Sequence, residues 1–365
     1  MDPTRTDVTQ WLVADRPTHL REWDSGMVHE LPSQSLLADR TYTIGAAEDC
    51  ALRLRDPSGR VSRHHARLAS DTEGRWVISD LRSKNGIALD GGPQVRVTLT
   101  PGVEIGIGGI TLIVESPELR RLRELLGRFV GWSDERRLNL AVRSVRMAAT
   151  RRESLQLCGD DDPTLVAVAR LLHGRTLGTD RPFAICARRP SDADPQRWAH
   201  YDGAPHHGGV PRYENGLEAL AAVGGGTLCV GRQRPRDFRH VLEAHRDPSS
   251  RVQLIVCARA LQHDPLVAPL AIAPLAERRH ELDRIIDGYA ADVATASGSA
   301  LQPSDRAWIR SAESDTLARL ETATVRVALA RAHGVTGAAE LLRMSHGSLS
   351  EWFARRSIDI DDGER

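Results

Sequence analysis

"GRVSRHHARL" (residues 59–68) places two arginines, a serine and two histidines within the stretch Arg60–His65. Successive side chains of an extended segment point to opposite sides. In that geometry Arg60, Ser62 and His64 share one face, and Arg63 and His65 the other. Neighbouring histidines on opposite faces make no metal pair. A guanidinium and a hydroxyl fixed on one face are instead the donors that a dianionic phosphate takes.

The flanking sequence alternates short β-type runs with turn signals. "RTYTIG", "CALRLRD", "HARLAS", "RWVISDL", "GIALDGG", "VRVTLTPG" and "ITLIVES" follow one another at short intervals. Such spacing predicts an all-β sandwich over residues 20–117, with loops at one end free to bind.

Three segments within it, "YTIG" (42–45), "GRVSRHHARL" (59–68) and "DLRSKNG" (80–86), resemble in order and spacing a forkhead-associated (FHA) domain. The resemblance implies a module that binds phosphothreonine peptides. It implies that Arg60 and Ser62 contact the phosphate and that Asn85, with Lys84 beside it, bonds the peptide backbone. His65 would brace the loop, Gly45 would end its strand, and Gly86 would permit the tight turn after Asn85. One position departs from the pattern. The family usually places an arginine after the glycine of "YTIG", and here that residue is Ala46. Arg40 and Arg63 are the arginines that would have to stand in for it, and Arg63 is counted with the candidate phosphopeptide contacts. The alternative is a sandwich that binds protein without phosphate.

The chain has 365 residues, a length suited to two or three domains, and 41% hydrophobic content, enough to bury real cores. Aromatics make up 4%, which disfavours stacking on single-stranded nucleic acid. The formal net charge is zero, so contact with nucleic acid must come from a local patch. The five cysteines form no CxxC pair and read as buried free thiols; no metal and no cofactor is expected. A polar N-terminus and the lack of a long apolar run predict a soluble, cytoplasmic protein without a membrane partner.

Residues 119–295 carry helical and strand–loop–helix signals. "ELRRLRELLGRFVG" sets leucines at 119, 122, 125 and 126, a helical stripe. "SLQLCGDDDPTLVAVARLLHGRT" reads as strand, loop and helix, the place for a phosphate cradle. The segment resembles the AAA+ domain of sigma-54-dependent activators, a P-loop-type α/β fold. Further resemblances are "GLEALAAVGGGTLCVGRQ" (216–233), "RVQLIVCAR" (251–259) and "IAPLAERRHELDRII" (272–286). The catalytic parts are missing. Leu165 stands at the P-loop lysine, Gly231 and Arg232 at the acidic pair, and Arg259 at the sensor asparagine. "GAPHHG" (203–208) replaces the sigma-contacting loop; its His206 and His207 read as solvated rather than metal-binding. Lys84 is the only lysine of the chain, so no standard Walker A loop exists in it. This is expected to be a degenerate AAA+-like body without a P-loop and without ATP hydrolysis, so not an enzyme.

Residues 318–358 read as helix, helix, turn, helix, with Gly334 as a stop and Thr336 and Ser345 as N-caps. The pattern resembles the Fis-type helix-turn-helix, an all-α DNA-binding unit. That resemblance implies a DNA-binding set that begins at Ser345, with base contacts from His346, Ser348 and Ser350 and phosphate contacts from Arg343, Arg355 and Arg356. Taken together, the sequence suggests a transcription regulator of three parts that couples recognition of a phosphothreonine protein to DNA binding, and the Fis-type resemblance implies a homo-oligomer. The alternative is a phospho-dependent adaptor without DNA binding.

Overall fold

The structure, a computed structural model, describes residues 16–32, 41–151, 154–188, 210–260, 267–294 and 301–360. Arg40 and the loop with His206 and His207 lie outside them. The chain divides into two compact units, residues 1–126 with 133–146, and residues 127–132 with 147–365.

The first unit is a β-sandwich. One sheet joins, in spatial order, β2 (Val28–Glu30), β1 (His19–Glu22), β11 (Ile110–Glu115), β10 (Glu104–Ile107), β7 (Ile87–Leu89) and β8 (Gly92–Gln94). The other joins β4 (Leu52–Arg53), β3 (Thr41–Gly45), β5 (Ala66–Ser70), β6 (Trp76–Asp80) and β9 (Arg96–Thr98). Neighbours run antiparallel except β3 and β4. Residues alternate between the two faces of each strand. Leu20, Ile44, Leu68, Trp76, Ile78, Ile105, Ile107, Leu112 and Val114 thereby meet in one dry core. Helix α1 (Pro117–Val130) and helix α2 (Glu135–Arg151) follow. Within the unit the buried guanidinium of Arg123 bonds Asn139 Oδ1 and the carboxylate of Glu135. Asn139 Nδ2 in turn donates to Trp23 O at 2.6 Å.

The second unit is built on a six-stranded parallel sheet. Its order is β14 (Arg212–Tyr213), β13 (Phe183–Cys186), β15 (Thr227–Val230), β16 (Gln253–Ala258), β12 (Ser154–Cys158) and β17 (Val267–Ala271). Strands β12, β15 and β16 are buried along their whole length, as strands covered on both faces are. Helices α3 (Asp162–Thr176), α4 (Gly216–Val223), α5 (Phe238–Arg246) and α6 (Leu282–Val293) belong to this body. All five cysteines of the chain are buried and free.

The C-terminal part is helical: α7 (Pro303–Ala312), α8 (Leu317–Leu341) and α9 (His346–Ala354). Helix α8 is broken at Gly334, whose φ of 69° and ψ of 173° are not helical. The chain resumes its helix directly after this glycine, so Thr336 lies inside the helix and is not the N-cap that the sequence suggested. Glycine resets the backbone by itself here, and no side-chain cap is needed. Ser345 is an N-cap, its hydroxyl accepting from Ser348 N–H at 3.1 Å. Among the described residues, no helix is long and apolar enough to cross a membrane.

Candidate functional site

Two loops meet at one end of the sandwich, one between β4 and β5 and one between β6 and β7. The first is organised by Asp56. Its carboxylate accepts from the N–H groups of Ser58 (2.9 Å), Arg60 (2.6 Å) and Val61 (2.7 Å), and from the Ser58 hydroxyl (2.5 Å). The Ser58 hydroxyl above all, and then the amides, hold the Asp56 carboxyl below the usual carboxylate range. The sequence analysis missed this residue. Its signal is "DPSGR", an aspartate that closes a turn onto the following amides.

His65 joins the loops. Its ring is fully buried, and Nδ1 accepts from Ser62 N–H at 3.0 Å. The ring proton therefore sits on Nε2, which is 2.9 Å from Gly86 O and 2.9 Å from Ser83 Oγ. Ser83 Oγ donates to Asp80 Oδ1 at 2.6 Å and accepts from Gly86 N–H at 2.9 Å. Two further bonds cross the gap. Lys84 N–H donates to Ser62 Oγ (3.1 Å), and Asn85 Nδ2 donates to Arg60 O (2.7 Å).

Two glycines make these approaches possible. A Cβ on Gly45 would lie 2.2 Å from Arg63 O, so only glycine fits there. Gly86 has a φ of +67°, the left-handed region. Residues 60–65 are an irregular loop rather than a strand. Strict alternation of faces therefore does not apply, and the His65 ring turns back onto the backbone N–H of Ser62 while the Ser62 hydroxyl faces Lys84 N–H.

The surface so formed is cationic and donor-rich. Arg60, Arg63 and Lys84 are exposed, and none is ion-paired with an acid among the described residues. The Ser62 hydroxyl accepts one bond and keeps its proton to donate. Asn85 uses its amide nitrogen on the loop and presents its oxygen. Ala46 N–H donates to Ser62 O at 3.1 Å, while its methyl packs on the sandwich core. His64 turns away to Asp49, 3.0 Å from Oδ2. Guanidinium, ammonium, hydroxyl and amide groups thus stand together on these two loops, the donor types that a phosphate takes.

Residues 42–108 match the sequence model of the FHA domain. They are an FHA domain. Such domains bind phosphothreonine-containing proteins and are not enzymes. Among solved structures, the FhaA FHA domain complexed with the intracellular domain of Rv3910 is 28% identical, over 27% of this chain and 98% of that one, with a TM-score of 0.23. Mycobacterium tuberculosis EmbR in complex with a low-affinity phosphopeptide is 31% identical, over 27% of this chain and 24% of that one, with a TM-score of 0.23. The first FHA domain of Mycobacterium tuberculosis Rv1747 is 26% identical, over 27% of this chain and 97% of that one, with a TM-score of 0.23. No curated protein matches the chain.

In the second unit, the loop after β12 leads into the N-terminus of α3. Asp161 caps this helix, accepting from Thr164 N–H at 3.0 Å and from the Thr164 hydroxyl. Arg232 donates to Asp160 O at 2.9 Å and pairs with the Asp162 carboxylate. The amide that would meet a phosphate is thus already bonded to a carboxylate, and the neighbouring cation is held by another. Leu165 is fully buried, and Arg259 is exposed at the end of β16.

In the C-terminal helices, His346 and Ser348 are exposed at the start of α9, and Ser350 is half-buried one turn further on. The Ser345 and Ser348 hydroxyls bond each other at 2.7 Å, and Ser350 lies 3.4 Å from His346 Nδ1. Arg343 is exposed in the turn with a φ of 53°. Arg355 pairs with Glu351. Arg356 donates to Glu313 Oε1 at 2.8 Å and lies 4.3 Å over the Trp352 ring.

Proposed function

We propose that the chain is a phosphothreonine-reading regulator that couples partner recognition through its FHA domain to DNA binding by its C-terminal helices. The body between them would be sigma-54-activator-like and would not hydrolyse ATP. The observation that supports the first part is the pair of loops pinned by His65, which brings Arg60, Ser62, Lys84 and Asn85 together at one end of the sandwich.

Two features support the reading of the body. Counted along the chain from β12, its five longer strands lie in the order 5-1-4-3-2. That sets it apart from the two common doubly wound orders and fits a P-loop-type body. The ligand crevice of such sheets lies beyond the carboxyl ends of the strands. Here that end carries the Asp161 cap and the Arg232–Asp162 pair in place of a phosphate cradle. The break at Gly334, the turn with Arg343 and the Ser345 cap support a helix-turn-helix.

A second reading, an adaptor without DNA binding, is favoured by the ion pairs of Arg355 and Arg356, which remove two cations from the reading helix. The binding function is tested by titrating full-length protein with a phosphothreonine peptide pool and its unphosphorylated counterpart. Ser62→Ala and Arg60→Ala should each weaken phosphopeptide binding roughly ten- to hundred-fold, the worth of a charge-assisted bond. Equal affinity for both peptide pools would end the proposal. Saturable, salt-dependent binding to a discrete duplex separates the regulator from the adaptor.

A further inference from the structure

We propose that Asp49, Cys50 and His64 form a binding site for a borderline-soft divalent transition metal ion of the zinc class. The three residues come from two segments that the sandwich clamps together. Ala46 N–H donates to Ser62 O (3.1 Å) and Ala47 N–H to Arg63 O (3.0 Å). The Cys50 thiol donates to Arg63 O at 3.2 Å. These bonds lay the turn after β3 against the loop that carries His64. His64 Nε2 then lies 3.0 and 3.1 Å from the two Asp49 oxygens. The imidazole nitrogen, the carboxylate oxygen and the Cys50 sulfur all lie within 4.8 Å of one another.

The donor set selects the ion. A thiolate, an imidazole and a carboxylate are the ligands of zinc, whereas calcium and magnesium take oxygen alone. Bonds of about 2.0–2.3 Å to a tetrahedral centre separate its ligands by about 3.3–3.8 Å. The present spacings, from 3.0 Å between His64 Nε2 and Asp49 Oδ2 up to at most 4.8 Å, bracket that range, and water would hold the fourth position. Access is open from outside, because the Asp49 and His64 side chains are 70% and 47% exposed. Cys50 lines the inner side and is 8% exposed.

In the free site the Cys50 sulfur carries the proton that it donates to Arg63 O. The Asp49 carboxylate accepts from His64 Nε2 and brings no proton to the site. On binding, the sulfur–hydrogen bond breaks as a sulfur–metal bond forms and that proton leaves to the buffer, while the Nε2 proton that His64 gives to Asp49 passes through solvent to Nδ1 as Nε2 takes the metal. The local charge rises by about one unit, two residues from Ser62 and beside the position where Ala46 replaces the usual arginine. The site itself does not depend on whether the domain reads phosphothreonine.

The test uses full-length protein, reduced and stripped of metal, titrated with Co²⁺ as a spectroscopic probe and with Zn²⁺ in competition. The expected result is a thiolate-to-cobalt charge-transfer band saturating at one equivalent, with release of about one proton. Cys50→Ser should abolish the band. That control matters because the buried thiols of Cys229 and Cys257, 3.8 Å apart, also lie in the chain. His64→Gln changes an exposed side chain and spares the fold, and it should weaken Zn²⁺ by at least about ten-fold. Absence of the band, its persistence in Cys50→Ser, or unchanged Zn²⁺ affinity in His64→Gln would overturn the assignment.

Discussion

Replacing His65 by alanine removes the side chain that ties the two binding loops together. The imidazole is fully buried, accepts from Ser62 N–H, and contacts Gly86 O and Ser83 Oγ. Without it the Ser62 amide and the Gly86 carbonyl lose their partners, and each such group costs about 1–3 kcal/mol while it stays dry. The vacated volume adds a cavity cost unless water fills it. A conservative total is about 3 kcal/mol, or roughly a hundred-fold in the opening equilibrium of the loops. Amide hydrogen exchange on the full chain reads that equilibrium directly. Peptides covering residues 59–68 and 80–87 should exchange roughly a hundred-fold faster, and those covering β12 in the other unit should not change. Affinity for phosphothreonine peptides should fall in parallel, because the donors lose their fixed aim. Exchange within about three-fold of the parent protein in both loops would refute the bracing role.

Three other outcomes are expected. Ala46→Arg restores the cation that the family pattern places beside Ser62, and should tighten phosphopeptide binding roughly ten- to hundred-fold by titration calorimetry; no gain would mean that the ligand lies elsewhere on the loops. Burial first, and the Asp292 charge next, raise the Glu321 carboxyl from 4.5 to about 7. The folded state thus holds a proton that the unfolded chain has released, and stability falls as pH rises through that window. Glu321→Gln should recover about 3 kcal/mol at pH 8 and almost nothing at pH 4 in urea unfolding; an equal effect at both would contradict the burial account. Arg356→Ala should lower stability by about 1–3 kcal/mol, since Glu313 is buried beneath it, yet leave the salt dependence of DNA binding unaltered. A salt slope reduced by about one with unchanged stability would make Arg356 a phosphate contact instead.

Local pattern fixed much of what binds. The β-type runs between turn signals are enough to specify a sandwich, because strand alternation and turn chemistry are set within a few residues. The types that line the loops, from Arg60 to Asn85, stand in the sequence in plain view, as do the break at Gly334 and the Ser345 cap. Lysine is used once, at Lys84, and that alone removes a standard phosphate-binding lysine from the body.

What the sequence left open depends on segments that meet only when folded. The period-two expectation for residues 60–65 gave way because Asp56 pulls three amides into a turn, and no strand partner holds the stretch flat. Arg356 met Glu313 across 43 positions, and the Asp49 turn met His64 across 15. The parallel order of the second sheet came from crossovers whose endpoints no local run encodes. Backbone periodicity and capping act over one or two turns of chain, and these the sequence states outright. Ion pairs, buried partners and strand order require two distant surfaces to dry and close together, and only the tertiary structure decides which ones do.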